Sequence, residues 1–299
     1  MKNKIFGLLI LSFALILNAC KEEPPYINLV PENAVGDTTY IKLPAPSPEP
    51  RNILIEEVTG VRCPNCPKAQ AEAKTISDNN PGRINVLTIH PLNKLSALTR
   101  PFDQTVGDQH TSAYDFRTEA GAQIFEMVGV SSALPIGNIN RKLFSSETSR
   151  NIDYQKWSAY VVSELTQTTP LNIDLKAKNA GDSIEIEVEL TYTQSAPDSN
   201  YLTIAILESE MEDVQESKDG SGNVIYVEDY MHNHVLRTVV TGYFGDLLKG
   251  TYEPGRVFYK KFRVKKDPKW NAAHLDALAI VHLNTSKKDV IHSKEVKVN

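Results

Sequence analysis

Two cysteines three positions apart, Cys63 and Cys66, carry the most distinctive chemistry in this 299-residue sequence. They lie in the stretch EEVTGVRCPNCPKA, residues 56–69. In disulfide exchange the nucleophile is the thiolate, and an ordinary cysteine near neutral pH is mostly thiol. The start of a helix offers unsatisfied N–H groups and a partial positive charge, both of which favour the thiolate. The sequence places Cys63 at such a start. Pro64 then falls near the first helical position, where its missing N–H costs nothing, and Pro67 is tolerated in the first turn. At this spacing Cys66 can turn back on a mixed disulfide formed at Cys63. Arg62 adds positive charge if its side chain points towards Cys63. The same pair could also form a stable local disulfide that never turns over. Zinc ligation is a poorer fit, because no second ligand pair at suitable spacing accompanies it.

The elements that must position this pair follow from periodicity. Residues 52–58 read as a strand, with Ile53-Leu54-Ile55 at its centre, and Thr59-Gly60 reads as a turn. Residues 63–79 read as a helix ended by Asn80-Pro81-Gly82. Residues 84–90, INVLTIH, form a second strand apolar enough to be central in a sheet. Residues 102–120 are irregular or helical, 122–129 make a short helix broken at Gly129, and Leu134-Pro135 precedes a strand over 136–140. Asp153 caps a helix running to 166. This alternation over 51–168 predicts a layered α/β domain with an at least partly parallel sheet. Strand alternation turns one of Glu56 and Glu57 inward and leaves the other solvated at an edge.

Beyond Pro170 the period becomes two, most clearly in Ile184-Glu-Ile-Glu-Val-Glu-Leu. Seven to nine short strands over 169–299 predict an all-β sandwich, without a cysteine for the inter-sheet bridge that many immunoglobulin domains carry. His232 and His234 share one face of a strand pattern, a pair more often structural than metal-binding. Asp219 to Asn223, DGSGN, reads as a hairpin loop rather than a calcium loop, since the position-six glycine and final glutamate are missing.

The N-terminus reads as a targeting segment. Lys2 and Lys4 precede an apolar run over 5–17, which is signal-peptide length and too short to span a bilayer. Leu-Asn-Ala-Cys at 17–20 resembles a lipobox, so cleavage after residue 19 would leave Cys20 to carry acyl chains as a membrane anchor. Lys21-Glu22-Glu23 then resembles a surface-export signal; a periplasm-facing position is the other reading. With Cys20 lipidated, Cys63 and Cys66 are the remaining pair, in a compartment where disulfides persist. Seven prolines between 24 and 50 make residues 20–50 a semi-rigid tether in which only short pieces such as Thr39-Tyr40-Ile41 could pair as strand. The net charge of −5 has no basic excess, which argues against nucleic acid as a partner.

Strand, turn and Cys-Pro-Asn-Cys opening a helix resemble thioredoxin-like domains. That resemblance implies a cis-proline facing the dithiol, and Pro135 matches its position in order and spacing; it also implies a buried acid that shuttles protons, for which Glu56 and Glu57 are the candidates. Ile55-Glu56-Glu57-Val58-Thr59-Gly60, Cys63-Pro-Asn-Cys66-Pro67, Asn140-Arg141 and His232-Asn233-His234-Val235-Leu236-Arg237 together are similar to the family of twenty-eight-kilodalton outer-membrane proteins. This second resemblance covers nearly all of the chain after the signal segment. It implies a lipoprotein with a thioredoxin-like domain followed by an immunoglobulin-like β-sandwich. The implied catalytic residues are Cys63, Cys66 and Pro135, with no cofactor and no metal. The implied partners are the membrane through Cys20, together with protein thiols or disulfides, or host or matrix proteins if the sandwich serves adhesion. Two departures from catalytic thioredoxins, Arg62 where tryptophan is common and the Pro-Asn dipeptide, leave the direction of any exchange open.

Overall fold

The computed structural model describes residues 33–299 apart from Pro197 and Thr285, so the signal segment and Cys20 lie outside the described residues. In chain order the strands are β1 (Ala34–Ile41), β2 (Ile53–Val58), β3 (Ile84–Ile89), β4 (Ile136–Ile139), β5 (Leu171–Ala180), β6 (Ser183–Tyr192), β7 (Asn200–Glu208), β8 (Met211–Lys218), β9 (Val224–His232), β10 (Val235–Val239), β11 (Asp246–Leu247), β12 (Arg256–Lys265), β13 (Leu275–Leu283) and β14 (Val290–Lys297). The helices are α1 (Cys66–Asn79), the single turn α2 (Ser96–Thr99), α3 (Glu119–Val128) and α4 (Trp157–Leu165).

The topology changes near residue 168, as the switch from mixed to two-residue periodicity requires, but the sheet does not stop there. An eight-stranded sheet runs β14-β13-β7-β10-β3-β2-β4, with β11 beside β7. β2 and β3 pair in parallel, and β3 continues in parallel onto β10 at Thr88 and Val235. The Thr88 N–H donates to the His234 carbonyl at 2.9 Å. Thus the strands after 169 do not close a self-contained sandwich. Five of them, β7, β10, β11, β13 and β14, extend the N-terminal sheet, and the described residues form one compact unit. Strands β1, β12, β6 and β5 make a four-stranded antiparallel sheet, in that order, stacked on the β7–β13 half of the larger one, and β8 and β9 pair as a separate two-stranded hairpin.

β1 departs from the expected tether. Its sequence AVGDTTYI holds no proline and is rich in residues that suit strands, so it pairs with β12 from Ala34–Phe262 to Ile41–Arg256. The prolines flank it, and the Pro-rich stretch reaches the body again through a bridge between Pro50 and Thr168.

The large sheet is covered on both faces at its β2–β3–β4 end. Ile53, Ile55 and Val86 pack against Ala69, Ala73 and Ile76 of α1 and Trp157 and Val161 of α4. Leu54, Val58, Leu87 and Ile89 face the other way, onto Ile124 and Phe125 of α3. Fully burying such side chains stabilises the fold by about 1.5–3 kcal/mol each. Because β2 has no wet face, both Glu56 and Glu57 are buried, at 0% and 1% exposure. The two lie on opposite faces, as strand alternation requires, but neither is at a solvated edge.

Candidate functional site

The cysteine loop leaves the end of β2 through a tight crossing. Gly60 sits where a Cβ would lie 2.3 Å from the Leu98 carbonyl oxygen, so no larger residue fits without moving backbone. The Arg62 N–H donates to that carbonyl at 2.9 Å, and successive turns follow as Cys63 N–H reaches Gly60 O and Cys66 N–H reaches Cys63 O, each at 3.0 Å. Helix α1 therefore begins at Cys66, with Asn65 at the N-cap position but making no side-chain cap bond, and Cys63 lies in the turn before it rather than in the helix. Cys63 and Cys66 are joined in a disulfide. The positive end of the α1 dipole points at this bridge, and Pro67 occupies the first turn as expected.

Arg62 does not lend its charge to Cys63. Its guanidinium pairs with Asp108, donates to the carbonyls of Arg100 and Pro101 at 2.9 Å, and stacks 4.1 Å over Phe102. Its partner Asp108 is held well below the usual carboxylate range by those hydrogen bonds.

Pro135 follows Leu134 through a cis peptide bond. Val58 opposes Ile136 in the β2–β4 register, so Pro135 stands at the end of β2 from which the cysteine loop departs. The structure thus gathers Cys63, Cys66 and Pro135 at one end of the sheet. Cys20 is outside the described residues.

Glu56 and Glu57 have different roles. Glu56 forms a buried ion pair with Arg141, Nη2 to Oε1 at 2.6 Å, and accepts from Asn138 at 3.1 Å. Asn140 and Arg141 both adopt left-handed backbone conformations, and Asn140 Oδ1 caps the Leu54 N–H at 2.9 Å. This part of the motif is a locked corner between β2 and β4. Glu57 faces α1 instead, its Oε1 has no hydrogen-bond partner, and burial pushes its carboxyl up to about 8.

The hairpin β8–β9 covers the cysteine loop, a feature the sequence reading lacks for β8. Gln215, fully buried, donates from Nε2 to the carbonyls of Gly60 and Cys63, both at 3.2 Å. The Glu216 N–H donates to Val61 O at 2.8 Å. Val61, Met211, Val214, Phe102 and Phe116 form a small core beneath. In consequence Cys63 is 1% exposed and Cys66 0%. β8 escapes periodicity because five of the eight residues in MEDVQESK are charged or amide, and the one usable signal is the alternation of Met211, Asp213 and Gln215 with exposed or apolar neighbours.

The segment HNHVLR joins this cover to the sheet. His232 packs against Phe116 and Tyr230, with ring centroids 4.5 and 4.9 Å away, and burial lowers it to about 4. His234 turns the other way to Glu295 at 3.5 Å, so the two histidines do not share a site. Asp219 closes the hairpin turn, accepting from the N–H groups of Ser221 and Asn223.

The fold and site together define a mixed α/β and β protein with a CxxC disulfide at the end of a parallel strand and the start of a helix. Residues 122–299 match the family model for outer membrane protein Omp28, more than half of the sequence, and the chain belongs to that outer-membrane family. Among solved structures, HBP35 of Porphyromonas gingivalis superposes with a TM-score of 0.61 at 16% identity, over 83% of this chain and 75% of that one. A domain of the outer membrane lipoprotein Omp28 from the same organism matches with a TM-score of 0.31 at 16% identity, over 44% of this chain and 96% of that domain. A search of curated proteins finds no match. No helix among the described residues is long and apolar enough to cross a membrane.

Proposed function

We propose that this outer-membrane protein performs thiol–disulfide exchange on extracytoplasmic proteins through a thioredoxin-like site. The observation that carries the reading is the Cys63–Cys66 bridge in the turn that opens α1, at the sheet end it shares with Pro135. In the reduced form the Cys63 thiolate attacks a substrate disulfide, forming a mixed disulfide and expelling one substrate thiolate. Cys66 then attacks the Cys63 sulfur, releasing the second substrate thiolate. Two electrons pass to the substrate and the Cys63–Cys66 bridge forms. The reverse sequence oxidises a substrate dithiol. Pro135 holds the partner's backbone beside the bridge, and Glu57, on the α1 face of β2, takes up the Cys66 proton. Acyl chains on Cys20 anchor the chain, and Lys21-Glu22-Glu23 directs it to the cell surface.

A second reading is favoured by the burial of both cysteines: a surface binding protein or adhesin, with host or matrix ligands, in which the bridge only staples the start of α1. The reduction potential of the pair separates the two. A value in the oxidoreductase range, with disulfide reductase activity lost in Cys63→Ser, supports exchange. A potential well below about −300 mV marks a structural bridge. Ligand binding that survives the double Cys63→Ser, Cys66→Ser change in the whole chain supports the second reading.

A further inference from the structure

A cavity of about 670 Å³ opens between α1 and the junction of β9 with β10. Its size falls within the ~300–1,000 Å³ of small-molecule sites. Val86, Ala71 and Met231 give it apolar surface, and the exposed Lys74 and Met231 mark its mouth. Glu57 lies on its sheet side, beside Thr88 in the β2–β3 register. The Glu57 carboxyl is 1% exposed and its Oε1 has no hydrogen-bond partner.

The groups around that carboxyl are committed elsewhere. Lys74 pairs with Asp78 at 2.7 Å, and His234 with Glu295 at 3.5 Å. The Tyr230 hydroxyl donates to Gln70 Oε1. Burial is what raises the Glu57 carboxyl, to about 8. A carboxyl removed from water without a cation keeps its proton, and a cation that reaches it takes that proton's place and offsets part of the cost of burying the charge. An ammonium head with a short alkyl stem meets both features of the cavity: the head pairs with Glu57 and the stem lies along Val86, Ala71 and Met231.

We propose that this cavity is a binding site for a small alkylammonium ion, with Glu57 as its charged anchor. The site needs the cavity and Glu57 but neither cysteine; it shares with the proposed exchange only the Glu57 carboxyl, so a bound amine and the Cys66 proton compete for that group.

Titration calorimetry with n-butylammonium chloride, on the chain with its disulfide intact, tests the proposal. Saturable binding is expected, with none for the uncharged 1-butanol. Glu57→Gln keeps the shape but not the charge, and weakens binding at least about tenfold. Ala71→Trp, at an exposed position of α1, blocks the mouth and abolishes binding without touching the core. The double Cys63→Ser, Cys66→Ser variant binds as the parent does, so loss of exchange activity and loss of amine binding are separate results. Absence of saturable binding by n-butylammonium overturns the site. So does equal affinity for 1-butanol, or parental affinity in folded Glu57→Gln or Ala71→Trp.

Discussion

If the Cys63–Cys66 bridge reacts with solvent thiols, the β8–β9 hairpin has to move first, because neither cysteine is exposed beneath it. Gln215 is the side chain that ties the hairpin to the loop, donating to the Gly60 and Cys63 carbonyls at 3.2 Å. In Gln215→Ala those two acceptors lose their donor, while the backbone bond from Glu216 to Val61 at 2.8 Å is kept. Each hydrogen bond contributes about 0.5–1.5 kcal/mol net, so the change lowers the cost of opening the hairpin by about 2 kcal/mol. At 1.4 kcal/mol per factor of ten, the open population rises roughly thirtyfold. When opening is fast compared with attack, the rate of reduction follows that population. The assay is reduction by dithiothreitol at mildly alkaline pH, quenched by alkylation and read by mass spectrometry. A parallel urea titration separates local opening from global unfolding. A reduction rate for Gln215→Ala within about twofold of the parent refutes the hairpin as the gate.

Three further outcomes are expected. Arg141→Met leaves the fully buried Glu56 carboxylate without its partner and costs about 3–5 kcal/mol in urea denaturation, while the double Glu56→Met, Arg141→Met change recovers much of that loss. Glu57, raised from 4.5 to about 8 in the folded state, favours the protonated form there, so its penalty is absent below pH 4.5 and complete above pH 8. The stability of Glu57→Gln minus that of the parent therefore rises across that window, by a few kcal/mol. Taking the difference removes the opposing effect of His232, lowered to about 4, and His282 and His292, lowered to about 3, whose contributions are lost as pH falls below 6.5. A flat difference would exclude a protonated buried Glu57. Cys20→Ala moves the protein from the detergent-rich to the aqueous phase in detergent partitioning if acyl chains on Cys20 are the anchor.

The β2–turn–α1 unit is legible in the sequence because the hydrophobic period changes from strand to helix at Thr59-Gly60, and Gly60 and Pro67 each suit only certain backbone positions. The α3 and α4 segments are legible for the same reason, although Asp153, whose side chain accepts from the Gln155 N–H, caps the short 3-10 turn Tyr154–Lys156 that leads into α4 rather than α4 itself. Three features are not. The parallel contact between Thr88 and Val235 joins residues far apart in sequence, and no local pattern encodes which strand edges will meet. β1 hides in a Pro-rich context, although its own eight residues hold no proline. β8 hides in its polarity, since Asp213 and Gln215 are buried to satisfy backbone groups, Asp213 accepting from the N–H groups of Ala113 and Tyr114 and Gln215 donating to the cysteine loop.

These misses share a cause that bears on the site. A thiol–disulfide site read from a CxxC motif alone is an exposed one, because the motif specifies the helix start and says nothing about what lies over it. Here the sheet extends past the α/β region through β10, and the chain reaches β10 by way of the β8–β9 hairpin. The same continuity that fuses the two halves of the protein lays that hairpin across Cys63 and forms the cavity beside Glu57. His234 supplies the joint, its carbonyl bonded to Thr88 on β3 and its left-handed backbone turning the chain from cover to sheet. Reactivity at Cys63 and the strength of that joint are therefore coupled. A partner that pulls β9 away from the body uncovers the bridge, whereas one that presses it down keeps the bridge shut. Access of a thiol to the bridge therefore depends on the contacts of the hairpin with the cysteine loop as well as on the two cysteines themselves.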